Sequence, residues 1–281
     1  MHKWKVIHMN KTARSLNSLL KVLGIRVLSV KGWRNILEVV SDRDRLKHEV
    51  LLNEIDVAVF TAALSRDTVI NLDFIPEYLG NREKSSSGFR QDLLALLLND
   101  FKKNGTFIEV GACDGLATSN TLLLEREFGW QGILIEPAKV WHSAIALNRS
   151  SIIDLRCAWK TTGERIKFVE KSDSCTSTVL GSTQSESFGE QVYWVETVTV
   201  AQLIEENKTI ESVDFLSVDT EGSELEVLLG FPFDNITPNF ICVEHNHEEP
   251  KRSQIRELLK IKGYSIFLET HSNVDDWFHR T

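Results

Sequence analysis

The sequence predicts an α/β fold: a mostly parallel central sheet with helices on both faces, one antiparallel strand and a helical N-terminal extension. Three observations predict it. From Gly105 onward, short apolar runs alternate with helical stretches, the pattern of parallel strands joined by crossover helices. The runs FIEV, GILIE and FICVE are continuously apolar, as strands covered on both faces must be. Acids and glycines collect just after those runs, where open α/β sheets bind their ligands.

Each element follows from its own pattern. Leu16, Leu19, Leu20 and Leu23 form a helical stripe that Gly24 interrupts, and Arg43 to Leu64 carries Leu46, Val50, Leu51, Ile55, Val59 and Leu64 near helical spacing. The polar stretch NREKSSSG, 81–88, reads as a linker, and 91–103 as a helix with Leu93, Leu94, Leu97 and Leu98 inward. The expected division is a helical extension over 1–80 and a ligand-binding domain over 81–281. Strands are expected at Thr106–Val110, Gly132–Glu136, Ile152–Ala158, Val213–Asp219 and Phe240–Glu244. Helices are expected at about 117–128, 139–148, 200–207, 222–230 and 251–262. Ile166–Glu170 and Val192–Val200 read as extra strands forming a hairpin or flap. Tyr264–Glu269 and Trp277–His279 close the sheet, one of them antiparallel.

Composition bounds the function. Hydrophobic residues make up 42% and charged residues 26% of the 281, values of an ordinary globular protein. Net charge is −8, yet residues 1–50 carry eleven Lys or Arg against four acids, so the acidic excess lies in the remainder. An acidic body argues against nucleic acid, whose phosphates need a basic face. The basic N-terminus suits a solvated helix, an anionic membrane surface, an acidic partner or an oligomer contact. Cys113, Cys157, Cys175 and Cys242 show no CxxC spacing, so neither a zinc site nor a disulfide framework is expected, and a reducing cytoplasm is the simplest compartment. No apolar run has the length of a membrane span, and no signal peptide is read in the first 30 residues.

Four segments carry chemistry. FIEVGACDG, 107–115, places Glu109 near a strand end and then turns through Gly111, Ala112 and Gly115. Its E-x-G-x-x-x-G spacing lacks the glycine set that seats a pyrophosphate on a helix N-terminus. It suits a ligand with an amino-acid moiety, whose ammonium Glu109 or Asp114 can pair. Glu136 ends the next strand and is followed by Pro137, the place of an acid that accepts ribose hydroxyls. Together the two acids favour a nucleoside-containing cofactor. Asp219 and Glu221 end a third strand one residue apart, where like charge can raise one pKa and create a base. Glu244, His245, Asn246 and His247 crowd a fourth. His245 suits proton transfer near neutrality, whereas Asp219, Glu244 and Asn246 suit a hard divalent cation held through oxygen.

GFRQDLLALLL, GTFIEVGACDG, SNTLLLEREFGWQGILIEP, TVTVAQLI, VDFLSVDTEGSELEVL, FICVEHN and Gly263-Tyr264, taken in this order, resemble the FkbM family of methyltransferases over residues 87–269. The resemblance implies a Rossmann-like class I methyltransferase fold and S-adenosylmethionine as methyl donor. It further implies O-methylation of a sugar, glycan or natural product. It places Glu109, Gly111, Asp114 and Gly115 in the cofactor loop, with Ser119 and Asn120 at the following helix start, beside the methionine carboxylate. Glu136 becomes the ribose acid and Ala158 borders the adenine. Asp219, Glu221 and Gly222 flank the reacting centre, Glu244 is the acid of the fifth strand, and Gln91 and Asp92 match a polar pair before the first strand. Glu109 stands where the family usually has Asp, and Cys113 where Asn is common. The expected reaction is methyl transfer to a hydroxyl, with His245 or Glu221 as base or a cation at Asp219. Trp159, Trp194 and Tyr193 would offer a sugar-stacking surface. The competing expectation is a nucleotide-sugar enzyme on the same sheet, which would want a basic phosphate-binding cluster.

Overall fold

The computed structural model describes residues 30–65, 69–171, 177–179 and 190–281. The predicted stripe at Leu16–Leu23 and Cys175 lie outside them. The chain divides into two compact units, residues 1–54 and 55–281. Helix α1 runs Val30–Ala63, and in the second unit its last turns bury Ile55, Val59 and Ala63. Asp56 on that face accepts hydrogen bonds from the Tyr78 hydroxyl (2.8 Å) and Arg82 (3.1 Å), tying down helix α2 (Ile75–Asn81).

Helix α3 (Gln91–Leu97) is buried along its whole length. Its Asp92 accepts bonds from the hydroxyls of Ser85 and Ser87 and the backbone amide of Ser86, so the polar linker is a fixed loop. The helix expected over 91–103 ends early. Asp100, Phe101 and Asn104 take left-handed backbone conformations (φ 51°, 49° and 56°), which a continuing helix excludes.

Eleven strands are described: β1 (Thr106–Val110), β2 (Gln131–Ile135), β3 (Ile152–Asp154), β4 (Cys157–Ala158), β5 (Arg165–Glu170), β6 (Thr178–Val179), β7 (Gln191–Val198), β8 (Phe215–Val218), β9 (Phe240–Glu244), β10 (Tyr264–Phe267) and β11 (Asp275–Arg280). The main sheet has seven, in the order β10-β11-β9-β8-β1-β2-β3. Neighbours pair in parallel except around β11, which runs antiparallel to both β9 and β10. This is the predicted Rossmann-like sheet with one reversed strand. The crossover helices are α4 (Leu122–Phe128), α5 (His142–Asn148), α6 (Val200–Glu206), α7 (Glu224–Leu229) and α8 (Lys251–Ile261). Ile108, Ile133, Leu216 and Ile241 from four adjacent strands sit in one apolar core with Leu203, Val227 and Leu259 from the helices.

One predicted strand divides. Ile152–Ala158 gives β3 to the main sheet and β4 to a second sheet of order β4-β7-β5-β6. Asp154 causes the break: its carboxylate takes the backbone amide (2.8 Å) and guanidinium (2.7 Å) of Arg156 and bends the chain. In the second sheet, β5 pairs antiparallel with β7 and with β6. This is the predicted flap, and it has a small core of Ala138, Cys157, Phe168 and Val195. No helix among the described residues is long and apolar enough to cross a membrane.

Candidate functional site

A cavity opens at the carboxyl ends of β1, β2 and β8, under the flap. Val110, Gly111, Cys113, Glu136, Pro137, Cys157, Ala158, Asp219, Thr220, Glu221 and Ser223 line it from the sheet side, and Phe168, Ser177 and Val179 from the flap. Local structure explains the opening. Parallel neighbours end together here, and the chain leaves β1 and β8 in opposite senses. At the crossing, Gly111 (φ +86°) passes so close to the next segment that a Cβ would lie 1.7 Å from the Asp219 carbonyl oxygen. Only glycine fits there.

Glu136 stands at one end of the cavity. One carboxylate oxygen accepts the Cys113 amide (2.7 Å) and the other the Ala138 amide (2.7 Å). Each oxygen keeps acceptor capacity for a second donor. Burial pushes the carboxyl up to about 7, against the lowering pull of those two amides, because no cation compensates for lost solvation.

Three acids converge at the other end. Ligand-capable oxygens of Asp219, Glu221 and Glu244 lie within 4.8 Å of one another. Asp219 is open to solvent within the cavity although protein surrounds it on most sides, and desolvation pushes its carboxyl up to about 7. Desolvation and the Asp219 charge raise Glu244 further, so the pair readily shares a proton. Asn246 donates to Glu221 (3.4 Å). A cation would therefore take Asp219, Glu221 and Glu244, with Asn246 reaching the group through Glu221. Glu221, Asn246 and His247 all have positive φ (55°, 44° and 58°), a region that Asn and His enter more readily than Glu.

The remaining predicted residues stand outside the lining. Glu109 is buried (4% exposed) and accepts bonds from the Ser119 and Thr121 hydroxyls and the Asn120 amide. Those three residues are drawn into a turn, so the helix expected from 117 begins only at Leu122. Asp114 caps the same loop, accepting the amides of Leu116 and Ala117. Ala112, Gly115, Ser119 and Asn120 are not among the lining residues. Asn120 donates to the Ser217 hydroxyl of β8 (2.9 Å). His245 is 4% exposed. Its Nδ1 accepts the His247 amide (2.9 Å), which leaves the proton of the neutral ring on Nε2, 3.7 Å from Asp276. Burial depresses its pKa. With Nδ1 accepting and Nε2 protonated, the neutral ring keeps no free lone pair. Of the aromatic trio, Trp194 is 53% exposed, whereas the Tyr193 hydroxyl donates to Glu170 (2.7 Å) and accepts from the Lys139 amide.

Several residues of the site are invisible to pattern reading. Phe168, Ser177 and Val179 reach it only because the flap folds over the sheet. Glu224 is buried and accepts the amides of Thr220 and Gly222, shaping the acidic turn. Arg149, beside the loop after β1, is fully buried between two carboxylates, where a lone Arg after a helix reads as solvated.

A family model described as the methyltransferase FkbM domain matches residues 109–266. No curated protein matches the chain in sequence. Similar solved structures include PH1948 of Pyrococcus horikoshii, described as an RNA methyltransferase (TM-score 0.35, 11% identity, covering 69% of this chain and 85% of that one). A fibrillarin/Nop5p complex is also similar (TM-score 0.33, 11% identity, 66% and 78% covered).

Proposed function

The chain belongs to the FkbM methyltransferase family, and from that premise we propose that it transfers a methyl group from S-adenosylmethionine to a hydroxyl oxygen of a sugar or glycan. One observation carries the cofactor reading. Every charged side chain lining the cavity is an acid (Glu136, Asp219 and Glu221), and among the described residues no Lys, Arg or His lines it. Such a wall favours a cationic ligand and disfavours a diphosphate, which separates S-adenosylmethionine from a nucleotide sugar or NAD. The residues fit the group in other respects. Glu136 retains acceptor capacity for two ribose hydroxyls. Val110, Pro137, Ala158, Phe168 and Val179 offer apolar surface for a base.

S-adenosylmethionine, when bound, supplies a methyl group activated on a sulfonium. The protein's part is to orient, to exclude water and to take a proton. A carboxylate of the protein would take the proton that the acceptor hydroxyl gives up as its oxygen is methylated. Asp219 and Glu221 are the cavity-lining carboxylates next to the β8 turn, and we assign the base to this pair. His245, turned into protein, is a positioning residue for the turn after β9. A second reading has an observation of its own: the convergence of Asp219, Glu221 and Glu244 would also hold a divalent cation that acidifies the hydroxyl.

Methyl transfer to a panel of glycans and small polyols tests the proposal. Asp219→Asn and Glu221→Ala should together mark the base, with kcat falling about 10²-fold or more in one of them. Wild-type kcat in both would refute a carboxylate base. Activity abolished by a chelator and restored by Mg²⁺ would select the cation instead.

A further inference from the structure

We propose that Arg149 is a positioning residue for the cofactor loop, acting from behind the cavity wall. This rests on the reading of the cavity as the S-adenosylmethionine site. Arg149 closes helix α5, and its side chain is 0% exposed. Nε donates to Glu125 (3.0 Å), Nη2 to the Thr121 hydroxyl (2.8 Å), and Nη1 to the Ser119 hydroxyl (3.1 Å) and the Gly115 carbonyl (3.4 Å). Nη1 also lies 3.5 Å from Glu109 of β1. One planar fork thus joins the first strand, the loop and the start of α4.

The loop is fitted to that side chain. Gly115 has φ +74°, and a Cβ there would lie 2.6 Å from Arg149 Cγ. The neighbouring Asn148 donates to the Asp114 carbonyl (2.8 Å), so the last residue of α5 and the one that caps it hold two consecutive loop carbonyls. From the cavity side the same loop is held by the Cys113 amide on Glu136. Gly111 and Cys113, which line the cavity, therefore lie on a segment pinned from both sides. A charge buried this deeply is costly unless it is paired and fully hydrogen-bonded. Glu109 and Glu125 supply the pairing, and the loop in its present path supplies two further acceptors, the Gly115 carbonyl and the Ser119 hydroxyl. The guanidinium selects one loop conformation and presents it to the cofactor.

The test is calorimetric titration with S-adenosylmethionine, paired with steady-state kinetics, on full-length wild type, Arg149→Lys and the milder Asn148→Ala. Lysine keeps the charge but loses the fork. The expected result is a Kd and cofactor KM raised about tenfold or more in Arg149→Lys, with a smaller rise in Asn148→Ala. At saturating cofactor, kcat and acceptor KM should stay near wild type. A residue serving stability alone would lower the melting temperature and leave the Kd of the folded protein unchanged, and that result would overturn the proposal. If Arg149→Lys does not fold, Asn148→Ala decides alone: unchanged Kd overturns the proposal and a raised Kd supports it. Wild-type protein that fails to bind S-adenosylmethionine would overturn the cofactor reading itself, and this proposal with it.

Discussion

Glu136 shows how one side chain serves structure and recognition together. Its two oxygens fix the Cys113 and Ala138 amides, and so shape the turn after β1 and the turn after β2. The same residue lines the cavity. Glu136→Ala should weaken S-adenosylmethionine binding by about 1–3 kcal/mol, the cost of losing a charged acceptor and leaving its donors unpaired. Calorimetry returning wild-type affinity would remove Glu136 from the site. The position of this acid at the end of GILIE was legible because a buried strand cannot end on a carboxylate without a reason. The place of Glu109 was legible too, but its partners were not. Ser119, Asn120 and Thr121 read as the start of a helix, and nothing in their order tells that a buried acid ten residues earlier claims a hydroxyl or an amide from each. Arg149 gave no signal at all. Its burial depends on two acids, Glu109 and Glu125, that only the folded chain brings around it.

At the scale of elements, the strands were the most readable feature. Thr106–Val110 and Phe240–Glu244 were read at their observed limits, because a strand buried on both faces is a closed apolar run bounded by polar residues. Helices were read too long where side chains compete with the backbone, as at 117–121, and where left-handed residues stop the helix, as after Leu97. The flap was recognised as a pair of strands. Its cover over the cavity was not, since alternation along a strand says which face is apolar and not what that face meets. Bonds that fasten it include the Thr178 hydroxyl to the Glu221 carbonyl (2.8 Å), the Lys139 amide to the Tyr193 hydroxyl (3.0 Å) and the Val140 amide to Glu170 (3.3 Å). Phe168 is both the centre of the flap core and part of the cavity lining. Phe168→Ala should destabilise the protein by about 3–5 kcal/mol and also raise the cofactor Kd. Denaturant unfolding together with calorimetry checks both. A stability loss with unchanged Kd would mean that the flap supports the sheet but not the ligand.

For the whole molecule, charge placement is the feature that joins sequence to site. The acidic excess beyond residue 50 comes to a point in a cavity whose described lining has no basic group. Gathering carboxylates where burial strips away their solvation costs stability, and the cost depends on pH. Glu136 ionises near 7 in the folded protein and near its ordinary, lower value when unfolded. The native state therefore binds more protons between those values, and its stability falls as pH rises through that window. Glu136→Gln cannot ionise. Its melting temperature relative to wild type should accordingly climb between pH 5 and pH 8, and a difference that stays flat would place Glu136 in a solvated setting. A bound cation would offset the same loss of solvation, which makes ligand charge the decisive variable. The most direct measurement is isothermal titration of the wild-type protein with S-adenosylmethionine, NAD and a nucleotide sugar under one buffer condition. Saturable binding of S-adenosylmethionine, with no heat from the two diphosphates, is the expected result. Tighter binding of either diphosphate would contradict the cationic-ligand reading of the cavity.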